Sequence, residues 1–89
     1  MPNKESVLYR KGLCLMSMNK HSQAIKYFDK TIKKDYHYAE AHFNKANCLF
    51  VIGEYRKAVN HFMSAVLHGE FATNLDLLMI KGFCHYHLL

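Results

Sequence analysis

Residues 11–16, Lys11-Gly12-Leu13-Cys14-Leu15-Met16, return 34 positions later as Lys45-Ala46-Asn47-Cys48-Leu49-Phe50. The same shift carries Ala24 onto Ala58 and Phe28 onto Phe62. It also pairs Tyr9 with Phe43, Ile25 with Val59 and Ile32 with Val66. A shift of 36 then brings Lys45-Ala46 and Cys48 onto Lys81-Gly82 and Cys84, so a third copy begins after two extra residues between Gly69 and Thr73. Self-similarity at this period marks a stack of supersecondary units in which each copy covers the apolar face of the next.

Within a copy the apolar spacing is helical. Val7, Leu8, Leu15 and Met18 form one stripe around Gly12. Ala24, Ile25, Phe28, Thr31 and Ile32 form a second, repeated by Ala58, Val59, Phe62, Ala65 and Val66. Asn19 and Gly53 stand between the stripes, and both residue types accept the left-handed conformation that ends a helix. Each copy therefore reads as helix, tight turn, helix. Small residues at Gly12, Ala24, Ala46, Ala58 and Gly82 let two helices approach closely, with Phe28 and Phe62 filling the space beside them. The spacing predicts five helices over about 4–18, 21–34, 38–52, 55–68 and 74–88, with Thr73 or Asn74 capping the last.

The chain has 89 residues, about half of them apolar, with one proline and four glycines. That composition suits one small all-α domain over residues 1–89 with a thin margin of stability. No apolar run approaches the roughly 18 residues of a spanning helix, and residues 1–5 lack the features of a secretory signal. Three cysteines cannot all pair within one chain, which favours a reducing, cytoplasmic setting. The net charge of +5 hints at acidic partners, although the lysines are scattered and Lys33-Lys34 is their densest pair.

The residues quoted resemble the tetratricopeptide repeat family. Its pattern places a small residue, a large apolar residue, an alanine, an aromatic and a second alanine at fixed positions. The second copy supplies Ala46, Leu49, Ala58, Phe62 and Ala65. The first supplies Gly12, Leu15, Ala24 and Phe28, with Thr31 replacing the last alanine. The junction Asp35–His42 is similar to the family's linker, with Tyr36 in place of its proline, and Leu8 and His42 stand where tryptophan is common. The resemblance implies an α-α superhelix of antiparallel hairpins: repeats over about 5–38 and 39–72, and the first helix of a third over 73–89.

The resemblance also implies a concave groove lined by the first helix of each hairpin. Carried over by position, the groove takes Tyr9, Leu13 and Met16 from the first copy and Phe43, Asn47, Phe50 and Val51 from the second. Met79, Phe83 and Tyr86 come from the third. Family members that grip a terminal carboxylate use lysine, arginine and asparagine there, and only Asn47 matches. The remaining surface is apolar, aromatic and rich in methionine, which suits a protein or peptide partner with apolar anchors. Lys26, Lys30, Lys33, Lys34, Arg56 and Lys57 fall on or after the second helices and should form a solvated outer face. Helical repeats that read RNA are the competing class, but their readout needs polar groove positions.

Other motifs read as structural. Cys14, Cys48 and Cys84 share one repeat position, too far apart for a common metal or disulfide, and are expected as small buried apolar groups. His85 and His87, beside Cys84, point in different directions on a helix. His61 and His68 lie two turns apart, and His37 and His42 flank a helix start. No phosphate loop, nucleophile elbow or zinc-binding helix occurs, so neither an enzyme nor a metal or cofactor site is expected. The last helix is apolar nearly all round. Leu77, Leu78, Ile80, Leu88 and Leu89 are expected to pack on a second copy as a dimer, since a terminal repeat otherwise needs a polar outer face.

Overall fold

In a computed structural model, which describes residues 3–68, the chain forms four helices: α1 (Lys4–Ser17), α2 (His21–Lys34), α3 (Ala39–Val51) and α4 (Tyr55–His68). No strand occurs among the described residues. The fold is all-α, with α1 against α2, α3 against α4, and α2 against α3. The first four predicted helices match to within a residue or so at each end. The fifth, over 74–88, lies outside the described residues.

The hairpin turns follow from two residues. At the end of α1 the Asn19 N–H donates to the Met16 carbonyl and the Lys20 N–H to the Leu15 carbonyl. The end of α3 repeats this with Gly53 on Phe50 and Glu54 on Leu49. This is the Schellman arrangement, which satisfies orphan carbonyls and requires a left-handed residue just past the helix. Asn19 (φ 61°) and Gly53 (φ 90°) supply it. The α2–α3 junction uses side-chain chemistry instead: the Asp35 carboxylate accepts from the His37 N–H at 3.0 Å, closing an Asx turn. At the start of α1, Asn3 caps the helix by accepting from the Ser6 N–H at 2.7 Å.

The core has two centres. Ala24, Phe28 and Cys48 form one, bridging α2 and α3, with Tyr9, Leu13, Leu15 and Met16 packed against it. Ala46, Leu49, Ala58 and Phe62 form the other, between α3 and α4. Thr31, standing where the second copy has Ala65, is fully buried and satisfies its hydroxyl by donating to the Tyr27 carbonyl at 2.9 Å. The threonine is thus tolerated in an apolar layer because its own helix supplies the acceptor.

Two expectations about the first copy need correction. Val7 and Met18 do not belong to the buried stripe of α1: they are 42% and 58% exposed. The face of α1 that enters the core carries Tyr9, Gly12 and Leu13, and Met18 already lies past the last turn. Cys14 is exposed, whereas its equivalent Cys48 is buried. The difference is one of position in the stack. α2 covers α3 at Cys48, and among the described residues no helix occupies the corresponding place over α1.

Candidate functional site

The residues expected in the groove divide by exposure. Tyr9, Leu13, Met16, Phe43, Asn47 and Phe50 are half-buried, and Val51 is exposed. Tyr9 connects the two first helices: its hydroxyl accepts from Asn44 Nδ2 at 2.8 Å, and its ring lies against Phe28 and Tyr38 at 5.8 and 5.2 Å. Burial raises the Tyr9 hydroxyl pKa, and the nearby Glu40 and Tyr38 add to that, while the Asn44 hydrogen bond opposes it. Leu13 and Met16 lean on the Phe28 cluster. Phe43 packs edge-on against Phe62 at 5.5 Å, and Phe50 tilts against Tyr55 at 5.0 Å.

Most of these side chains therefore serve the hairpin core and present only part of their surface. Val51 and its neighbour Ile52 are exposed, at 61% and 44%. Met79, Phe83 and Tyr86, and the self-association set Leu77, Leu78, Ile80, Leu88 and Leu89, lie outside the described residues. Asn44 and Tyr38, which orient Tyr9, escaped the sequence reading. Asn44 lies one residue off the carried-over positions, and nothing in the apolar pattern marks it.

A second surface lies at the end of the stack. Val7, Arg10, Lys11, Cys14, Leu15 and Tyr27 line an open cleft of about 450 Å3 between α1 and α2. The Lys11 and Lys30 ammonium groups lie 5.9 and 4.8 Å from the centre of the Tyr27 ring. Beyond Val7 and Leu8 the surface continues to Lys30, Lys33 and Lys34 on α2. The repeat shift pairs Lys11 with Lys45, and Lys45 is bonded across the α2–α3 boundary to Asp29.

Two of the described histidines, His42 and His61, meet between α3 and α4. His42 is 1% exposed and sits between Tyr36 and His61. Among the described residues no three histidine, cysteine, aspartate or glutamate side chains converge to hold a metal ion. No helix among them is long and apolar enough to cross a membrane.

The paired helices, their small-residue crossings and the turn chemistry agree with what comparison with protein families finds. A family model for the tetratricopeptide repeat matches residues 6–35, which span α1, the Asn19 turn and α2. No curated protein gives a significant match. The chain carries a tetratricopeptide repeat at residues 6–35, within an all-α arrangement of helical hairpins.

Proposed function

We propose that this protein is a protein-interaction scaffold that takes an apolar peptide or helix along the concave side of α1 and α3. A tetratricopeptide repeat is a protein-interaction module and is not generally catalytic. The observation that supports the groove reading is the set of half-buried apolar and aromatic side chains on α1 and α3, Tyr9, Leu13, Met16, Phe43 and Phe50, together with the exposed Val51. Exposed apolar patches of this kind mark interaction sites. Self-association through the apolar residues between Leu77 and Leu89 completes the reading. It rests on sequence alone and is tested by light scattering, where a clean monomer at tens of micromolar rejects it.

Peptide-library selection on the immobilised protein tests the groove. The expected winners carry two apolar or aromatic anchors and lose binding to Val51→Glu and Phe50→Ala variants that keep the helical circular dichroism. Val51→Glu is the cleaner probe, because Phe50 also packs on Tyr55. Unchanged capture by both variants rejects the groove. The RNA alternative draws on exposed cations such as Lys26, Lys30, Lys33, Lys34, Arg56 and Lys57, and a salt-sensitive gel shift with mixed-sequence RNA, stronger than peptide binding, would favour it.

A further inference from the structure

The second repeat shows what the first one's open face is built to receive. Lys45 and Cys48 of α3 meet α2, where Cys48 packs with Ala24 and Phe28 and Lys45 pairs with Asp29. Ala41, one turn earlier on the same helix, is buried at 0%. The repeat shift maps these three residues onto Val7, Lys11 and Cys14. Those equivalents remain accessible: Val7 is 42% exposed, and Lys11 and Cys14 are exposed. An apolar strip with a cation at its centre thus lies open on α1, in the register that seats a helix on α3.

The occupant is defined by the α2 pattern and by charge. α2 presents a small residue (Ala24), an aromatic four positions on (Phe28), a carboxylate next to it (Asp29) and Thr31 two further on. The rim around the open strip carries Arg10, Lys11, Lys30, Lys33 and Lys34, with Glu5 as the acidic residue nearby. A second copy of this chain lacks the complement. Its α2 face is already taken by α3, and its α4 carries Met63 where α2 carries Asp29. Its net charge of +5 also opposes the basic rim.

We propose that the open face of α1 docks an acidic amphipathic helix of another protein, presenting small, aromatic and carboxylate residues to Val7, Cys14 and Lys11. The rim lysines attract the rest of its acidic face and speed the encounter. The surface is distinct from the concave groove, so a partner held there leaves the groove free.

The probe is a hydrocarbon-stapled, fluorescein-labelled 14-residue peptide that copies the α2 pattern with glutamate at each lysine position. Anisotropy titration with the full chain at low salt is expected to saturate. Lys11→Glu should weaken binding about tenfold, and a peptide with lysine at the Asp29-equivalent position should regain most of that loss on the Lys11→Glu chain. That charge-swap recovery also shows the variant to be folded. In the unaltered chain, saturating peptide should slow iodoacetamide labelling of Cys14, read by mass spectrometry. The proposal is overturned by no saturation by about 1 mM, by equal affinity for Lys11→Glu, by no protection of Cys14, or by tighter binding of a mixed-sequence RNA than of the peptide. Concentration-dependent protection of Cys14 without peptide would also overturn it, by assigning the face to a second copy.

Discussion

His42 and His61 face each other Nδ1 to Nδ1 at 3.2 Å, with their rings stacked at 5.5 Å between centres. His42 Nε2 lies 2.8 Å from the Tyr36 carbonyl, which can only accept. The proton of neutral His42 is therefore on Nε2, its Nδ1 is a bare lone pair, and His61 Nδ1–H donates to it. One proton fits between the rings. The pair ties α3 to α4 and, through Tyr36, to the turn before α3.

That arrangement predicts acid sensitivity. His61 is pushed down to about 4, by burial first, then by Lys45 and by His42, with Asp29 opposing. The folded chain therefore takes up this proton less readily than the unfolded chain, whose histidine titrates near 6.5. Stability contributed by the neutral ring is complete above pH 6.5 and declines as pH falls toward 4. The full shift corresponds to at most about 3 kcal/mol, and the partial solvent access of His61 reduces this to roughly 1–2 kcal/mol. Urea midpoints between pH 7 and 4 should fall more steeply for the natural chain than for His61→Gln. Parallel pH profiles would remove His61 as the cause.

Gly12 predicts a steric cost. A Cβ added there would meet Phe28 Cε1 at 2.5 Å and Cδ1 at 2.8 Å. Phe28 is fully buried in the Ala24–Cys48 cluster and has no room to withdraw. Gly12→Ala gains about 1 kcal/mol of helix propensity, but overpacking of this kind costs about 1–3 kcal/mol. Net destabilisation of roughly 1 kcal/mol is expected, and Phe28→Leu in the same chain should recover part of it by shortening the ring side. An unchanged urea midpoint for Gly12→Ala would show that Phe28 shifts freely.

The helices and turns were legible because their signals are local and repeated. Gly12, Ala24 and Phe28 recur as Ala46, Ala58 and Phe62, and Asn19 and Gly53 mark the breaks between stripes. Exposure was less legible, because burial at a repeat position depends on whether a neighbouring helix covers it. Cys14 and Cys48 share a position and a residue type, yet one is open and one sealed. The positions expected to line a groove carry no sign in the sequence of how they divide between core and surface. Phe43 and Phe50 look like free aromatics in the sequence, and only the placement of Phe62 and Tyr55 shows them engaged. The His42–His61 contact joins residues 19 apart on separate helices, and no local pattern announces it.

The same contrast between equivalent cysteines predicts a reactivity difference. Burial pushes the Cys48 thiol up to about 11, so near pH 7 its thiolate fraction is far below that of an ordinary cysteine. Cys14 is open to solvent. Alkylation followed by peptide mapping should modify Cys14 faster than Cys48 by about 10-fold or more, and urea should bring the two rates together. Equal rates in the folded chain would mean that α3 leaves α2 readily.

The two hairpin turns predict a conformational cost without a steric one. Gly53 has φ 90°, and nothing stands within 4 Å of the place a Cβ would occupy. Gly53→Ala therefore costs only backbone strain, about 1–2 kcal/mol for a left-handed alanine. About 0.4–1 kcal/mol is returned by the stiffer unfolded chain. The net loss of roughly 1 kcal/mol should appear as a lower urea midpoint with unchanged helical content, since the Schellman bonds of Gly53 and Glu54 are made by the backbone. Gly53→Asn should lose less, because asparagine already holds the equivalent conformation at Asn19 with φ 61°. Asn19→Gly should stay within about 0.5 kcal/mol of the natural chain, whereas Asn19→Ala should resemble Gly53→Ala. If alanine and asparagine cost the same at position 53, the lost term is not the left-handed φ, and the turn must yield by unwinding the end of α3.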